Sequence, residues 1–264
     1  MFSYIKTIFK PKNIIPCVRI LLYDNEVLNL NSAFDCKFNT DFIPACEMVD
    51  KNYKHSELIA MLESGTIPQK QIAALKLDSI NNIEEGKLVV SNLIGCDGKI
   101  REAVALKINQ VLNKSPEVAG ILNYPEIFAK ASVDINANIC RLVIDSVSVL
   151  KSNKEFSEKY LEYVLKFIDE TFCELDKFIY RDKKYVINKQ LFKLYWCLES
   201  LKLFVKDIKP NTLEKILNRC IKEKEYTIRE KVAQIVILAE DNLFESIKNT
   251  LKNDENYYVR NIFK

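Results

Sequence analysis

Apolar residues recur along most of the chain at spacings of three and four positions, which is the period of one face of an α-helix. The segment at 97–112, "DGKIREAVALKINQVL", shows this well, because Val104, Ala105 and Ile108 follow Arg101 by three, four and seven positions. The period-two alternation that marks a half-buried strand is missing there. The pattern predicts an all-α protein.

The same pattern returns in six places along the chain. Aligned on Arg101, the six copies have their reference residues at Lys70, Arg101, Asn136, Asn188, Arg229 and Arg260. The residues three, four and seven positions further on are apolar in nearly every copy, and those after Asn188 are Leu191, Phe192 and Tyr195. We therefore expect six helices that each bury this stripe.

Another apolar-periodic segment precedes each of these helices, with examples at 56–64, 84–94, 155–172, 212–221 and 242–251. A helix, a turn and a helix, repeated about six times, predict an α-solenoid in which each hairpin buries its stripe against its neighbours. Residues 1–54 do not fit the repeat. We expect an irregular N-terminal cap at 1–54 and a repeat solenoid at 55–264.

The segments "IREAVALKI" and "IREKVAQIV", each after an acidic turn, resemble HEAT and HEAT-like repeats. The resemblance implies a right-handed α-solenoid of about six helical hairpins. It also implies a ladder of turn acids and helix arginines, for which Asp97 with Arg101 and Glu225 with Arg229 are the matching pairs. Asn136 and Asn188 stand where the family has arginine, so the ladder should be interrupted in the middle. The scaffold serves many functions and implies no activity.

Composition narrows the class of protein. The chain has 264 residues, of which 48% are hydrophobic and 28% charged, as in an ordinary soluble globular protein. Its longest apolar run is interrupted by Pro16 and Arg19, so no membrane span is predicted. Eight cysteines have irregular spacings, and Cys140 and Cys197 fall within helical patterns. Such cysteines indicate free thiols and a reducing, cytoplasmic location.

Residue patterns for catalysis are missing from the sequence. It has no GxSxG, P-loop or GxGxxG motif, and the sequence around His55, the only histidine, does not indicate which residue would orient it as a general base. We expect no catalytic residue, metal or cofactor, and therefore no enzyme. A lyase or an alkylated-base DNA glycosylase built on HEAT-like repeats is an alternative that has only fold analogy behind it.

The second helices of HEAT-like solenoids generally line the concave surface, so the face opposite the core stripe is the expected partner site. Its predicted residues are Ile72, Leu75, Leu106, Asn138, Arg141, Gln190, Lys193, Lys231 and Gln234. This face should be apolar in the first half of the solenoid and polar to basic in the second. The sequence predicts a non-catalytic scaffold for a protein or peptide, unless the helical wheel is rotated and these residues are core.

The uneven distribution of charged residues along the chain indicates a function other than protein or peptide binding. Residues 181–222 contain eleven Lys and Arg against four acids, whereas residues 14–66 contain four against eight. Lys189, Lys193 and Trp196 follow one side of a helix, where cations and an aromatic ring could contact phosphates and stack on a base. Nucleic-acid binding through 181–222 is the alternative function, and a solvated lysine face with a packed Trp196 is the plainer explanation. The sequence leaves the oligomeric state open.

Overall fold

The computed structural model describes residues 47–177, 184–239 and 242–264. Every regular element in these ranges is a helix, which confirms the all-α prediction. The chain divides between Leu77 and Asp78 into two compact units. The expected division between residues 54 and 55 stays a prediction, because most of the proposed cap at 1–54 lies outside the described residues.

The described part of the first unit consists of a short helical segment at 47–50 and one helical hairpin. Helices α1 (His55–Ser64) and α2 (Ile67–Lys76) pack against each other. Thr66 begins α2 through a capping box, in which its backbone N–H donates to Gln69 Oε1 over 2.8 Å. The buried side chains include Leu58, Leu62, Ala73, Ala74 and Leu77. Burial of the last three agrees with the stripe predicted after Lys70.

The second unit contains the following helices: α3 (Ile83–Ser91), α4 (Gly98–Lys114), α5 (Pro125–Ala131), α6 (Ala137–Leu150), α7 (Lys154–Asp176), α8 (Lys184–Lys202), α9 (Pro210–Cys220), α10 (Tyr226–Ala239), α11 (Glu245–Lys252) and α12 (Tyr257–Asn261). Short 3-10 turns lie at Asn92–Ile94, Pro116–Gly120 and Asn242–Phe244. Helix α5 was not anticipated. None of the described helices combines the length and the apolar character needed to cross a membrane.

Alternate helices of this unit contact one another in chain order. Helices α4, α6, α8, α10 and α12 form one series of neighbours, which we call the second-helix row. Helices α3, α5 and α7 form a second series of neighbours, in which α3 contacts α5 and α5 contacts α7. The two helices of a hairpin also pack on each other, as α7 does on α8 and α11 on α12. The buried stripes of α4 and α10 are those expected, with Val104, Ile108, Val232 and Val236 all inaccessible or nearly so.

The first residues of the second helices show that the sequence alignment was wrong by four positions at α6. The side chains of Asp97, Asn136 and Asn256 accept backbone hydrogen bonds at the start of α4, α6 and α12. Asn136 is therefore equivalent to the capping Asp97. The residue four positions further on, equivalent to Arg101, is Cys140.

The predicted stripe on α8 is also wrong. Leu191, Phe192 and Tyr195 are only half-buried. Among the residues of this helix whose side chains are described, the fully buried apolar ones are Leu194, Cys197, Leu198 and Leu201. Asn188, on which that copy was aligned, has a side chain outside the described residues.

Arginines connect successive hairpins at two places in the second unit. Arg101 of α4 donates from Nε (2.7 Å) and Nη2 (3.2 Å) to the carboxylate of Asp134, in the turn before α6. Its Nη1 donates to the carbonyl oxygens of Gly95 and Cys96 in the turn before α4. One guanidinium thus joins two consecutive turns.

Arg229 of α10 repeats this geometry at the interface between α10 and α12. It donates from Nε (2.7 Å) and Nη2 (3.0 Å) to Asp254, in the turn before α12. The expected pairs of Asp97 with Arg101 and of Glu225 with Arg229 are therefore wrong. Each arginine instead pairs with an aspartate of the following turn, because its side chain extends toward the next hairpin.

The middle of the second unit is held by buried rings. Phe128 of α5, Phe156 and Tyr160 of α7, and Phe204 after α8 lie at ring-centroid distances of 5.6, 5.8 and 5.5 Å in succession. The Tyr160 hydroxyl lies 2.6 Å from Ser132 Oγ and donates over 3.0 Å to Ser200 Oγ. This pairing satisfies a polar atom that would otherwise be costly to bury.

Candidate binding surface

The outward side of the second-helix row is defined by the residues opposite each buried stripe. On α4 and α6 it carries half-buried Leu106 and exposed Asn138 and Arg141, all three of which the sequence predicted. Asn138 Nδ2 donates to Glu102 Oε1 over 3.0 Å, and Arg141 Nη2 donates to Asn138 Oδ1 over 2.9 Å. These contacts form a polar network across the two helices.

Two residues of α8 that were predicted for the partner site do not lie on this outward side. Gln190 and Lys193 are half-buried and line a cavity of about 740 Å³ between α7 and α8. Lys193 Nζ lies 3.3 Å from Glu170 Oε2 and 4.6 Å from the centroid of the Phe167 ring, both on α7. The placement of these two residues on the face opposite the core is therefore wrong, because that face was derived from the shifted stripe.

Lys231 of α10 is not a surface residue, which corrects a second predicted position. Its side chain is 10% exposed and lies between α8 and α10. The ammonium is 2.5 Å from Glu199 Oε2 and 4.7 Å from the centroid of the Tyr195 ring. Burial alone would lower the pKa of Lys231, but the hydrogen bond from Lys231 to Glu199 raises it above the ordinary value.

Gln234, the next predicted residue on α10, is half-buried and accepts a hydrogen bond of 2.9 Å from Lys202 Nζ of α8. Lys202 also pairs with Glu199. The basic residues here therefore hold two helices together. In the first unit, the predicted residues Ile72 and Leu75 are half-buried and exposed, respectively.

The residues predicted for nucleic-acid binding have three different environments. Lys189 is exposed, whereas Lys193 is paired with Glu170 as described. Trp196 is half-buried, and its ring meets those of Phe192 and Tyr195 at 6.1 and 5.2 Å. Its indole N–H is buried and lacks a hydrogen-bond partner in the described part of the chain. Residues 181–183 of the basic segment lie outside the described residues.

Three tyrosines on α10 and α12 form a surface that the sequence interpretation missed. The rings of Tyr226 and Tyr258 stack at 6.0 Å, and Tyr257 meets Tyr258 edge-on at 5.7 Å. Tyr257 and Tyr258 nevertheless remain 55% and 60% exposed. We call these three residues the tyrosine surface. Aligning "YTIRE" with "YYVRN" would have revealed it, because Tyr226 and Tyr257 both lie three positions before the repeat arginine.

Next to this surface, a shallow pocket of about 440 Å³ opens between α8 and α10. Its lining residues are Leu191, Phe192, Tyr195, Glu225 and Thr227. All five are half-buried. The later part of the second-helix row therefore presents aromatic rings together with exposed Lys189, and the expectation of a polar-to-basic face did not include these rings.

The described cysteines are free, and three of them are buried: Cys140, Cys197 and Cys220. Burial raises the pKa of Cys197 to about 12 and also raises those of Cys140 and Cys220. These thiols are protonated and unreactive, since the thiolate is the reactive form. Within the described residues, no group of three or more His, Cys, Asp or Glu side chains is arranged to hold a metal ion.

Comparisons with known proteins add little to this picture. No protein-family model matches the chain, and no curated protein is similar to it in sequence. Two crystal structures of engineered proteins, from the Northeast Structural Genomics Consortium, are similar to 80% of this chain. The first has 10% identity, 96% of its own chain covered and a TM-score of 0.48. The second has 12% identity, 94% covered and a TM-score of 0.43.

Proposed function

We propose that this protein is a non-catalytic scaffold, a HEAT-like right-handed solenoid of about six helical hairpins whose concave face holds a protein or peptide. The contacts along the second-helix row, helix by helix, support a solenoid arrangement of residues 78–264. The recurring contacts of Arg101 and Arg229 support a structural repeat of the HEAT-like kind. Counted over both units, the described residues contain six helical hairpins, of which α1–α2 is the one in the first unit.

The observation that carries the binding role is the exposure of the tyrosine surface. Tyrosine is enriched in protein interfaces, because its ring supplies apolar contact area while its hydroxyl can exchange water for a partner. Tyr257 and Tyr258 are more than half exposed although Tyr258 already stacks on Tyr226 and meets Tyr257 edge-on. A partner that covered them would gain buried aromatic area with little loss of conformational entropy.

Selection of short random peptides displayed on phage, with the full chain as bait, tests this proposal. We expect the protein to enrich peptides, and the double variant Tyr257→Ala/Tyr258→Ala to lose most of their affinity. Because both side chains are exposed, the double variant should reduce the free energy of unfolding by only about 1 kcal/mol. Circular dichroism and urea denaturation check that it remains folded.

The matched control is Ile83→Ala/Ile135→Ala, which removes two apolar side chains that are 64% and 76% exposed elsewhere in the same unit. The control should bind the selected peptides as the unmodified protein does. Equal loss in both double variants would show that exposed apolar area in general causes the binding, and would count against a site at the tyrosine surface. A protein that enriches no peptide would overturn the proposed function.

Nucleic-acid binding remains the alternative function, and exposed Lys189 is the observation in its favour. Fluorescence polarisation with labelled single- and double-stranded oligonucleotides, at roughly 50 and 200 mM salt, tests it. Binding that falls steeply with salt and is abolished by Lys189→Glu/Lys193→Glu would support this alternative. An affinity that the double reversal leaves unchanged would exclude those two lysines as phosphate contacts.

A further inference from the structure

The 440 Å³ pocket between α8 and α10 is lined by apolar and aromatic side chains and by a carboxylate. Leu191, Phe192 and Tyr195 give it apolar and aromatic walls, and among the lining residues whose side chains are described Glu225 is the charged one. Glu225 accepts a hydrogen bond of 3.2 Å at Oε1 from Thr227 Oγ1, and that hydroxyl cannot neutralise the carboxylate. The pocket therefore combines aromatic surface with a negative charge.

The arginine nearest to Glu225 along α10 is already engaged. Arg229 donates to both carboxylate oxygens of Asp254, to Glu255 Oε1 over 3.3 Å, and to the carbonyl oxygens of Glu223 and Lys224. Its hydrogen bonds thus face the turns before and after α10. The hydrogen bond to Asp254 raises the pKa of Arg229, and Coulomb attraction to Glu225 helps to raise it. Glu225 also directly precedes α10, where a carboxylate offsets the partial positive charge of the helix N-terminus.

One wall of the pocket already attracts a cation. The ammonium of Lys231 lies 4.7 Å from the centroid of the Tyr195 ring, within the range of a cation–π interaction. That ammonium shares the carboxylate of Glu199 with Lys202, at 2.5 and 2.9 Å respectively, so Glu199 offsets only part of the positive charge on that side of the ring. Aromatic faces next to a carboxylate are the combination that recognises a cationic side chain.

We propose that this pocket binds an arginine or lysine side chain of an extended partner segment, whose neighbouring residues lie on the tyrosine surface. This inference rests on the proposed function, because it names the chemistry of the partner held there. Tyr226 connects the two sites, since it stands between the pocket residues Glu225 and Thr227 in sequence. The partner is therefore a basic segment of a protein.

The test sequences the peptides selected from the random library. We expect arginine and lysine to be enriched among peptides selected by the unmodified protein, and the enrichment to disappear with Glu225→Gln. A selected peptide in which citrulline, an uncharged analogue, replaces arginine then completes a double-mutant cycle. We expect Glu225→Gln to weaken the arginine peptide about tenfold and to leave the citrulline peptide nearly unchanged.

Glu230→Gln is the matched control, because Glu230 is half-buried on α10 but does not line the pocket. It should leave both peptides unaffected. Selected peptides without a basic bias, or a bias that survives Glu225→Gln, would overturn this inference while leaving the scaffold proposal intact. Failure to select any peptide would overturn both. Tight binding of a labelled single-stranded oligonucleotide, together with no basic bias, would assign the surface to nucleic acid instead.

Discussion

In the second unit, successive hairpins are joined by arginine contacts at the flanking interfaces and by buried aromatic rings in the middle. Between α4 and α6, and again between α10 and α12, a guanidinium joins two turns through a carboxylate and two backbone carbonyls. In the middle, Cys140 takes the place of the arginine, and its Sγ lies 3.0 Å from the carbonyl oxygen of Asp134. The rings of Phe128, Phe156, Tyr160 and Phe204 fill the adjoining space.

The difference shows what an ion pair and an apolar cluster each contribute to a repeat. The pairs of Arg101 with Asp134 and of Arg229 with Asp254 have side chains that are about 10% exposed or less. Breaking such a pair is costly chiefly because the remaining charge is left buried. The aromatic cluster instead stabilises by removing apolar area from water. We therefore expect the two regions to respond differently to substitution and to pH.

The largest expected effect comes from breaking the middle. Phe156 is 1% exposed and contacts two other rings, so Phe156→Ala should reduce the free energy of unfolding by about 3–5 kcal/mol. Urea denaturation measures the change. The control is Phe172→Ala on the same helix, where the ring is half-buried and the cost should be clearly smaller. If both variants lost the same free energy of unfolding, the aromatic cluster would stabilise the protein no more than a half-buried ring does.

A smaller effect is expected where an arginine is removed from one of the flanking interfaces. Arg229→Ala leaves the carboxylate of Asp254 buried without its main partner, and should reduce the free energy of unfolding by about 3 kcal/mol. Hydrogen exchange should show the loss first in α12, which follows Asp254. Arg141→Ala removes an exposed arginine and should change stability by about 0.5 kcal/mol or less. If both variants behaved alike, the ladder contact would contribute no stability.

The smallest expected effect is a dependence of stability on pH. It separates the two regions most clearly, because only the ion-paired interfaces should show it. Burial alone would raise the pKa of Asp254, but hydrogen bonds from Arg229 lower it below the ordinary value of 3.8. A carboxyl with a lowered folded-state pKa stabilises the protein fully above its unfolded pKa, and loses that contribution as the pH falls through the folded-state value. The buried rings have no such dependence.

Comparing the unmodified protein with Asp254→Asn at a series of pH values measures this contribution. The difference in urea midpoint between the two should be largest near neutral pH and should shrink as the solution is acidified below the ordinary pKa of aspartate. A difference that stays constant through the acid range would contradict the linkage. Phe156→Ala should lower the midpoint by a similar amount throughout the same series.

Several features of the fold could be predicted because they depend on neighbours in sequence. The stripe at Val104 and Ile108 and its copy at Val232 and Val236 follow from helical spacing alone. The motif D-x-N, at Asp134 and again at Asp254, would also have corrected the alignment at α6, because it marks the turn and the capping asparagine together. Helix α5 was harder to predict, since seven residues are too few for a clear period.

The stripe on α8 could not be chosen from the sequence, because this helix is apolar on more than one side. Leu191 and Tyr195 belong to one possible stripe, and Leu194 and Leu198 to another. Both satisfy the spacing, and the neighbouring helices decide which of them is buried. The candidate pocket depends on this choice, since its walls at Leu191 and Tyr195 are residues that the sequence assigned to the core.

The sequence by itself determined the all-helical class, most of the helices and the apolar stripes of α4 and α10, because these depend on interactions within a few positions. Only the tertiary structure decided which acid pairs with which cation. Arg101 and Asp134, or Lys231 and Glu199, are more than thirty positions apart, and their contacts exist only once helices have packed. The same packing paired Lys193, Lys202 and Lys231 with carboxylates, and it left Tyr257 and Tyr258 exposed near the half-buried Glu225.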